Sequence, residues 1–149
     1  MIPRVGHAPD ANRTYTLRPG VYAILPLKQR FLLTMQVRDV VDIQLPGGGI
    51  DPGESTLPAL HREVMEETGW RITKPRRVGA FRRFVYMPDY DIWAEKLCNI
   101  YVAQPVRQIS EPLEIDHKPL VLSASEAMDY LGNDGDREFL SRYLSCSSG

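Results

Sequence analysis

Glu63, Glu66 and Glu67 stand just before Gly69, at the end of a stretch that reads as a helix. At about 100° per residue the three carboxylates fall on one narrow face, beside an apolar stripe of Leu57, Leu60, His61, Val64 and Met65. Glu63 and Glu67 form a like-charge i,i+4 pair, unfavourable by a few tenths of a kcal/mol. Glu66 and Glu67 also meet the negative end of the helix dipole, at a cost of roughly 0.3–1 kcal/mol each. A divalent cation turns that repulsion into shared ligation. Carboxylate oxygens with no His or Cys beside them select hard ions, so the expected metal is Mg²⁺ or Mn²⁺. Spacing alone fits a solvated acidic face equally well, because Glu is a good helix former and surface repulsion is weak.

The residues before the helix shift that balance. Gly47, Gly48, Gly49 and Gly53 free the backbone to approach a ligand closely. They do not spell a P-loop, which needs Lys-Ser/Thr, nor the Gly-x-Gly-x-x-Gly of a dinucleotide fold.

Taken together, the positions are Gly48, five residues, Glu54, seven residues, Arg62-Glu63-Val64, Met65, Glu66-Glu67, Thr68, Gly69 and Trp70. This run resembles the signature box of the Nudix hydrolases. Its one departure is Trp70, where the family usually has an aliphatic residue, a change expected to alter packing and not chemistry. The resemblance implies an α/β/α sandwich around a mixed sheet. It implies Mg²⁺- or Mn²⁺-dependent hydrolysis of a diphosphate linkage in a nucleoside diphosphate derivative or a nucleoside triphosphate. By motif position, Glu63, Glu66 and Glu67 would bind the metal, with the Gly47 carbonyl as a further ligand. Glu63 is the first choice for water activator as well. Glu54 and Arg62 would tie loop to helix and orient the ligands, with Gly48 and Gly69 shaping the backbone. Many relatives carry another acid in a later loop; Glu111, Glu114 and Asp116 are candidates here, with Glu114 the first choice among them, although a solvated loop carboxylate is the commoner reading of each.

Two other functions stay open beside hydrolysis. A non-catalytic nucleotide sensor of this family usually loses box glutamates, all of which are present. An RNA 5′-end pyrophosphohydrolase would lean on basic residues, whereas the net charge is −1. Gln36 stands where coenzyme A-cleaving relatives have arginine, and the extended run of NADH-cleaving relatives is absent. Isomerases share the fold, which alone does not decide function.

The elements that must position these residues are those of an α+β chain. With 149 residues, 43% hydrophobic and 25% charged, one domain is expected. The domain is expected over 15–144, after an irregular lead-in at 1–14 and before a flexible tail at 145–149. Strands are expected at 20–27, 30–37, 39–45, 76–87, 96–106 and 119–123, with a turn-rich aromatic loop at 88–95. Helices are expected at 55–68, at 123–132 with a Ser123–Glu126 capping box, and from 136 with Phe139, Leu140, Tyr143 and Leu144 inward. Helices on both faces of a mixed sheet follow from that order.

Arg82 and Arg83 alternate faces, so at most one can reach a pocket and grip phosphate. Tyr86 and Tyr90 could stack on a base, while Trp93 leans to the core. His61 reads as a packed histidine, Cys98 as a buried strand residue and Cys146 as a free thiol. No secretory signal or apolar span of about 20 residues is present, which gives a cytoplasmic setting. A small-molecule nucleotide is the expected partner, without membrane or nucleic acid, and a homodimer is the default assembly.

Overall fold

The computed structural model describes residues 1–147. Its elements run β1 (Thr16–Ile24), β2 (Pro26–Leu27), β3 (Arg30–Val37), β4 (Val41–Gln44), β5 (Gly47–Gly49), α1 (Thr56–Thr68), β6 (Trp70–Met87), β7 (Ile92–Gln108), β8 (His117–Ser123), α2 (Ala124–Tyr130) and α3 (Asp134–Ser147). One four-stranded sheet has the order β5-β1-β7-β6. Its β1–β7 pair is parallel, and its β5–β1 and β6–β7 pairs are antiparallel. In the second sheet β3 is central, with β8 along one edge and β2 and β4 along the other.

The apolar run at 20–27 was expected as one strand, but it belongs to both sheets. Residues 21–25 are buried on both sides, so the strand reads as continuous hydrophobic sequence and not as an alternation. Val21, Ala23 and Leu25 face Ala59, Leu60 and Val64 of α1. Tyr22 and Ile24 face the opposite way, into a core with Phe81, Ile100, Ala127, Phe139 and Leu140, where α2 and α3 lie. The result is the expected mixed sheet structure between helical layers. Lys28 and Gln29 turn the chain from β2 to β3 with positive φ of 50° and 66°, the geometry of a type I′ hairpin despite the missing Asn-Gly.

Helix α1 begins after Ser55, whose backbone is extended but whose side chain makes no capping bond. It ends at Gly69, which is left-handed at φ 74° and donates its N–H to the Met65 carbonyl. A side chain at Gly69 would also run into the Ser110 carbonyl, so the glycine fixes both the helix stop and the approach of a later loop. The buried face of α1 differs from the expected stripe. Ala59, Leu60, Val64, Glu67 and Thr68 are buried, while His61 is exposed and Leu57 is 42% exposed. The expected stripe leaves the carboxylates outside it, whereas the helix is turned so that Glu63 and Glu67 point inward.

Strands β6 and β7 are longer than expected, starting at Trp70 and Ile92. The Lys74-Pro75 step hid the first turns of β6, because Pro75 breaks the ladder and Lys74 takes φ 53°. The aromatic loop shrinks to a turn at Pro88–Asp91. Trp93 is not in the core. It packs with Tyr15 and Tyr86 on the surface under the Arg13 guanidinium, 3.6 Å from its ring centroid. The lead-in is not wholly irregular, since the Val5 N–H donates to the Arg82 carbonyl and the Arg82 N–H donates to the Pro3 carbonyl at the β6 edge. At the other end, residues 145–147 continue α3; Ser148 and Gly149 lie outside the described residues. The Ser123–Glu126 capping box forms as expected. Among the described residues no helix is long and apolar enough to cross a membrane.

The rotation of α1 has a direct test. Leu60→Ala is expected to lower the unfolding free energy by roughly 2–5 kcal/mol, and His61→Ala to change it by less than about 0.5 kcal/mol. Urea denaturation of both variants checks this; a large loss for His61→Ala would restore the original stripe.

Candidate active site

Gly47 lies at the edge of the first sheet, paired with Tyr22 of β1. Its N–H donates to Glu67 Oε1 at 3.0 Å and so joins β5 to the end of α1. The Glu67 side chain is only 8% exposed, and its Oε2 faces His117 Nε2 at 3.6 Å. His117 Nδ1 in turn meets Thr34 Oγ1 at 2.9 Å. Burial pushes the Glu67 carboxyl well up, and the negative Glu63 and Glu114 push the same way, against the Gly47 N–H.

Glu63 stands one turn earlier and faces the same cleft. Its carboxylate lies against Gly48, so a side chain at that position would push it aside. Its pKa is raised from 4.5 to about 7, first by burial and then by Glu66 and Glu114, although Arg62 opposes the shift. A pair of buried carboxylates that each resist ionisation is unfavourable unless positive charge is supplied.

Arg62 supplies part of it. Its guanidinium grips Glu54 through both oxygens, at 2.7 and 2.8 Å, and donates to Gly49 O at 3.1 Å. The other terminal nitrogen reaches Glu63 at 3.0 Å and Glu66 at 3.2 Å. Glu54 is held down at about 2 by the Arg62 bond and the Asp51 N–H. The expected loop-to-helix pair is therefore formed in the structure. Glu66 turns toward Arg62 and does not line the cleft; its backbone carbonyl accepts from the Leu113 and Glu114 N–H groups at 2.8 and 2.9 Å. That contact brings Glu114 over the cleft beside Glu63 and Glu67.

Of the later acids, Glu114 faces the carboxylates and Asp116 faces Arg38 and Gln36. Glu111 is exposed and does not line the cleft. Of the side chains proposed to hold substrate, only Tyr90 lines the cleft. Tyr86 bonds Asp91, Arg82 pairs with Glu95 at 3.1 Å, and Arg83 lies behind Lys96 in a separate small pocket.

The cleft encloses about 330 Å³ and opens between the two sheets, at the small end for a ligand site. Its far wall was not foreseen: Arg18, Gln36, Arg38, Gln44, Lys96 and His117 all line it. Arg38 bridges Asp89 at 2.7 Å and Asp116 at 2.9 Å, joining the tip of the β3–β4 hairpin to the β6–β7 turn. Lys96 could have been found by alternation, because it shares a face with Cys98 and Ile100 of β7, both buried.

The donors suit a hard divalent ion, being carboxylate and backbone oxygens with unneutralised buried charge. Among the described residues no three acidic, His or Cys side chains already converge tightly enough to enclose one. Ligation by Glu63 and Glu67 together with Glu66 or Glu114 thus calls for a side-chain rotation, since Arg62 holds Glu66.

The comparisons with known proteins agree with this arrangement. A Bacillus subtilis (strain 168) protein provisionally named an 8-oxo-dGTP diphosphatase is 36% identical over 64 residues, 43% of each chain. The ADP-ribose pyrophosphatase of the same organism is 23% identical over 116 residues, covering 74% of this chain and 60% of that one. The chain thus spans about half the length of these curated relatives. A solved NUDIX hydrolase from Nitrosomonas europaea superposes with a TM-score of 0.73 over 87% of this chain and 90% of its own, at 19% identity, a likeness of fold. A family model described as NUDIX domain matches residues 15–143, most of the sequence, and the chain belongs to the NUDIX family.

Proposed function

We propose that this protein hydrolyses a phosphoanhydride in a nucleoside diphosphate derivative or a nucleoside triphosphate, using Mg²⁺ or Mn²⁺. The observation that carries the reading is the pairing of buried Glu67 with half-buried Glu63 at the floor of a polar cleft, with Glu114 above it. The relatives' names point the same way. Glu63, Glu67, Glu66 or Glu114, and the Gly47 carbonyl would hold the metal. When bound, it would neutralise phosphate oxygens and make a water more acidic.

The chain's own groups do the rest. Gly47 N–H fixes one oxygen of Glu67, and His117 stands at the other. Arg62 keeps Glu63 aimed into the cleft from behind. Glu63 accepts the proton of the attacking water, which needs the carboxylate ionised, the form that a bound cation favours. The water oxygen bonds to phosphorus, the anhydride P–O bond breaks, and its electron pair leaves with the departing phosphate. The setting we propose is the cytoplasm, consistent with Cys98 and Cys146 being unpaired thiols.

Glu67→Gln is expected to keep the Gly47 bond and the fold, with a melting temperature in EDTA equal to or above that of wild type. Turnover with Mg²⁺ should fall by roughly 100-fold or more. A screen of nucleoside triphosphates, oxidised purine nucleotides, ADP-ribose and nucleotide sugars reads this out; full activity in Glu67→Gln would refute the assignment.

The metal-free protein should also carry a pH signature. Glu63 binds its proton more tightly folded than unfolded, so its stability contribution is greatest below about pH 4.5 and is lost as pH rises to about 7. Glu67 acts in the same direction. In EDTA, wild type should therefore lose more stability between pH 5 and 7.5 than Glu63→Gln, measured by urea denaturation. Parallel profiles would show that Glu63 ionises normally.

A further inference from the structure

Three cations lie in a row across three adjacent strands. Arg18 of β1 is directly paired with Lys96 of β7, and Lys96 is directly paired with Arg83 of β6. Directly opposed residues point to the same face, and like charges so placed are destabilising. Lys96 and Arg83 are half-buried, which adds desolvation.

The usual remedy is a carboxylate partner, and elsewhere in this protein it is used. Arg38, Arg62, Arg82, Arg137 and Arg142 all have one within ion-pair distance. The row has aromatic rings instead. The Arg18 guanidinium sits 4.5 Å from the Tyr90 ring centroid, and Lys96 Nζ sits 5.8 Å from that of Tyr22. A ring face attracts a cation without cancelling its charge. Asp136 and Glu67 act on Lys96 from a distance, and Arg83 acts against it.

Arg18 and Lys96 line the same cleft as Glu63, Glu67 and Glu114. The other acids there are committed: Asp89 and Asp116 to Arg38, and Asp51 to Arg62 at 3.5 Å. Acidic groups therefore gather in one part of the cleft, and in another stand Arg18 and Lys96, for which no carboxylate lies within ion-pair distance. Glu67 is anchored at Gly47, opposite Tyr22. Arg18 lies four residues earlier on β1, roughly 13 Å along the strand. That distance exceeds the spacing of neighbouring phosphates in an anhydride, so a group held there lies beyond the bond being broken.

We propose that Arg18 and Lys96, backed by Arg83, form a second anion subsite that holds a further phosphate of the substrate, away from the scissile linkage. This rests on the phosphoanhydride reading and narrows it to substrates with an extra phosphate beyond the diphosphate that is cut. Lys96 is the inner contact and Arg18 the outer one, with Tyr90 keeping the Arg18 fork in place.

Two arms test this. In the first, inorganic triphosphate is titrated calorimetrically into the full chain in EDTA at low and at raised salt. Wild type should bind with an affinity that falls with salt. Arg18→Gln and Lys96→Met should each weaken binding roughly tenfold or more, and Arg18→Lys should recover most of the loss. Arg18 lies near the start of β1, outside both hydrophobic cores, so its variants report even if Lys96→Met fails to fold. In the second arm, Mg²⁺-dependent kcat and KM are compared for ADP-ribose and for ADP-ribose phosphorylated on its terminal ribose. Wild type should favour the phosphorylated compound, and the variants should lose that preference through KM. Unaltered triphosphate binding in Arg18→Gln and Lys96→Met, or equal use of both compounds by wild type, would overturn the subsite while leaving hydrolysis intact. Loss of triphosphate binding in the variants with no hydrolysis of any nucleotide by wild type would keep the subsite and overturn the hydrolase reading.

Discussion

One guanidinium organises the acidic half of this molecule. Arg62 binds Glu54, Glu63, Glu66 and the Gly49 carbonyl at once. The loop between β5 and α1 has no secondary structure of its own beyond a turn, and this fork is what draws it onto the helix. Arginine suits the task because its planar donors satisfy a carboxylate through two bonds and still reach others. Without it, three carboxylates would stand unneutralised beside a fourth, Glu67, that is already buried. The positions of Glu54, Glu63 and Glu66, and with them the shape of the acidic end of the cleft, depend on that single cation.

The cleft itself arises from a change of sheet. The chain leaves the first sheet at Leu25 and enters the second with β2 and β3. The strands part there, and the gap between them exposes Gly20 and Tyr22 on one wall and Gln36 and Gln44 on the other. Gln44 donates to the Gln36 side chain, and Gln36 donates to Asp116, so the second wall is a connected polar surface. A fully covered sheet would have filled that space with apolar side chains. Opening it is what allows charged groups to be placed between two hydrophobic cores.

Much of the acidic half could be read from the chain because its determinants are local. The glutamates, Arg62 and the glycines lie within one loop and one helix, where spacing fixes geometry. Their orientation was harder. Leu57 and His61 match a helical stripe as well as Ala59 and Val64 do, and only packing against Val21 and Ala23 decides between them. The cationic half was illegible for a different reason. Arg18, Lys96 and Arg83 are far apart in sequence, and their alignment depends on the register of three strands. Arg38 likewise gains its meaning from Asp89 and Asp116, which pattern reading had no way to bring to it. Trp93 was misplaced because a tryptophan in a turn-rich segment suggests burial, whereas Arg13 and Tyr86 cover it at the surface.

The backbone bonds that residues 3–5 make with Arg82 have a consequence for how the molecule behaves among its own copies. Strand β6 is eighteen residues long and forms the outer margin of its sheet. An uncovered margin of that length offers open amide and carbonyl groups on which another chain can template itself. By seating on its middle, the N-terminal segment acts as a guard against edge-to-edge aggregation, a service unrelated to chemistry and easily lost to trimming or fusion at that end.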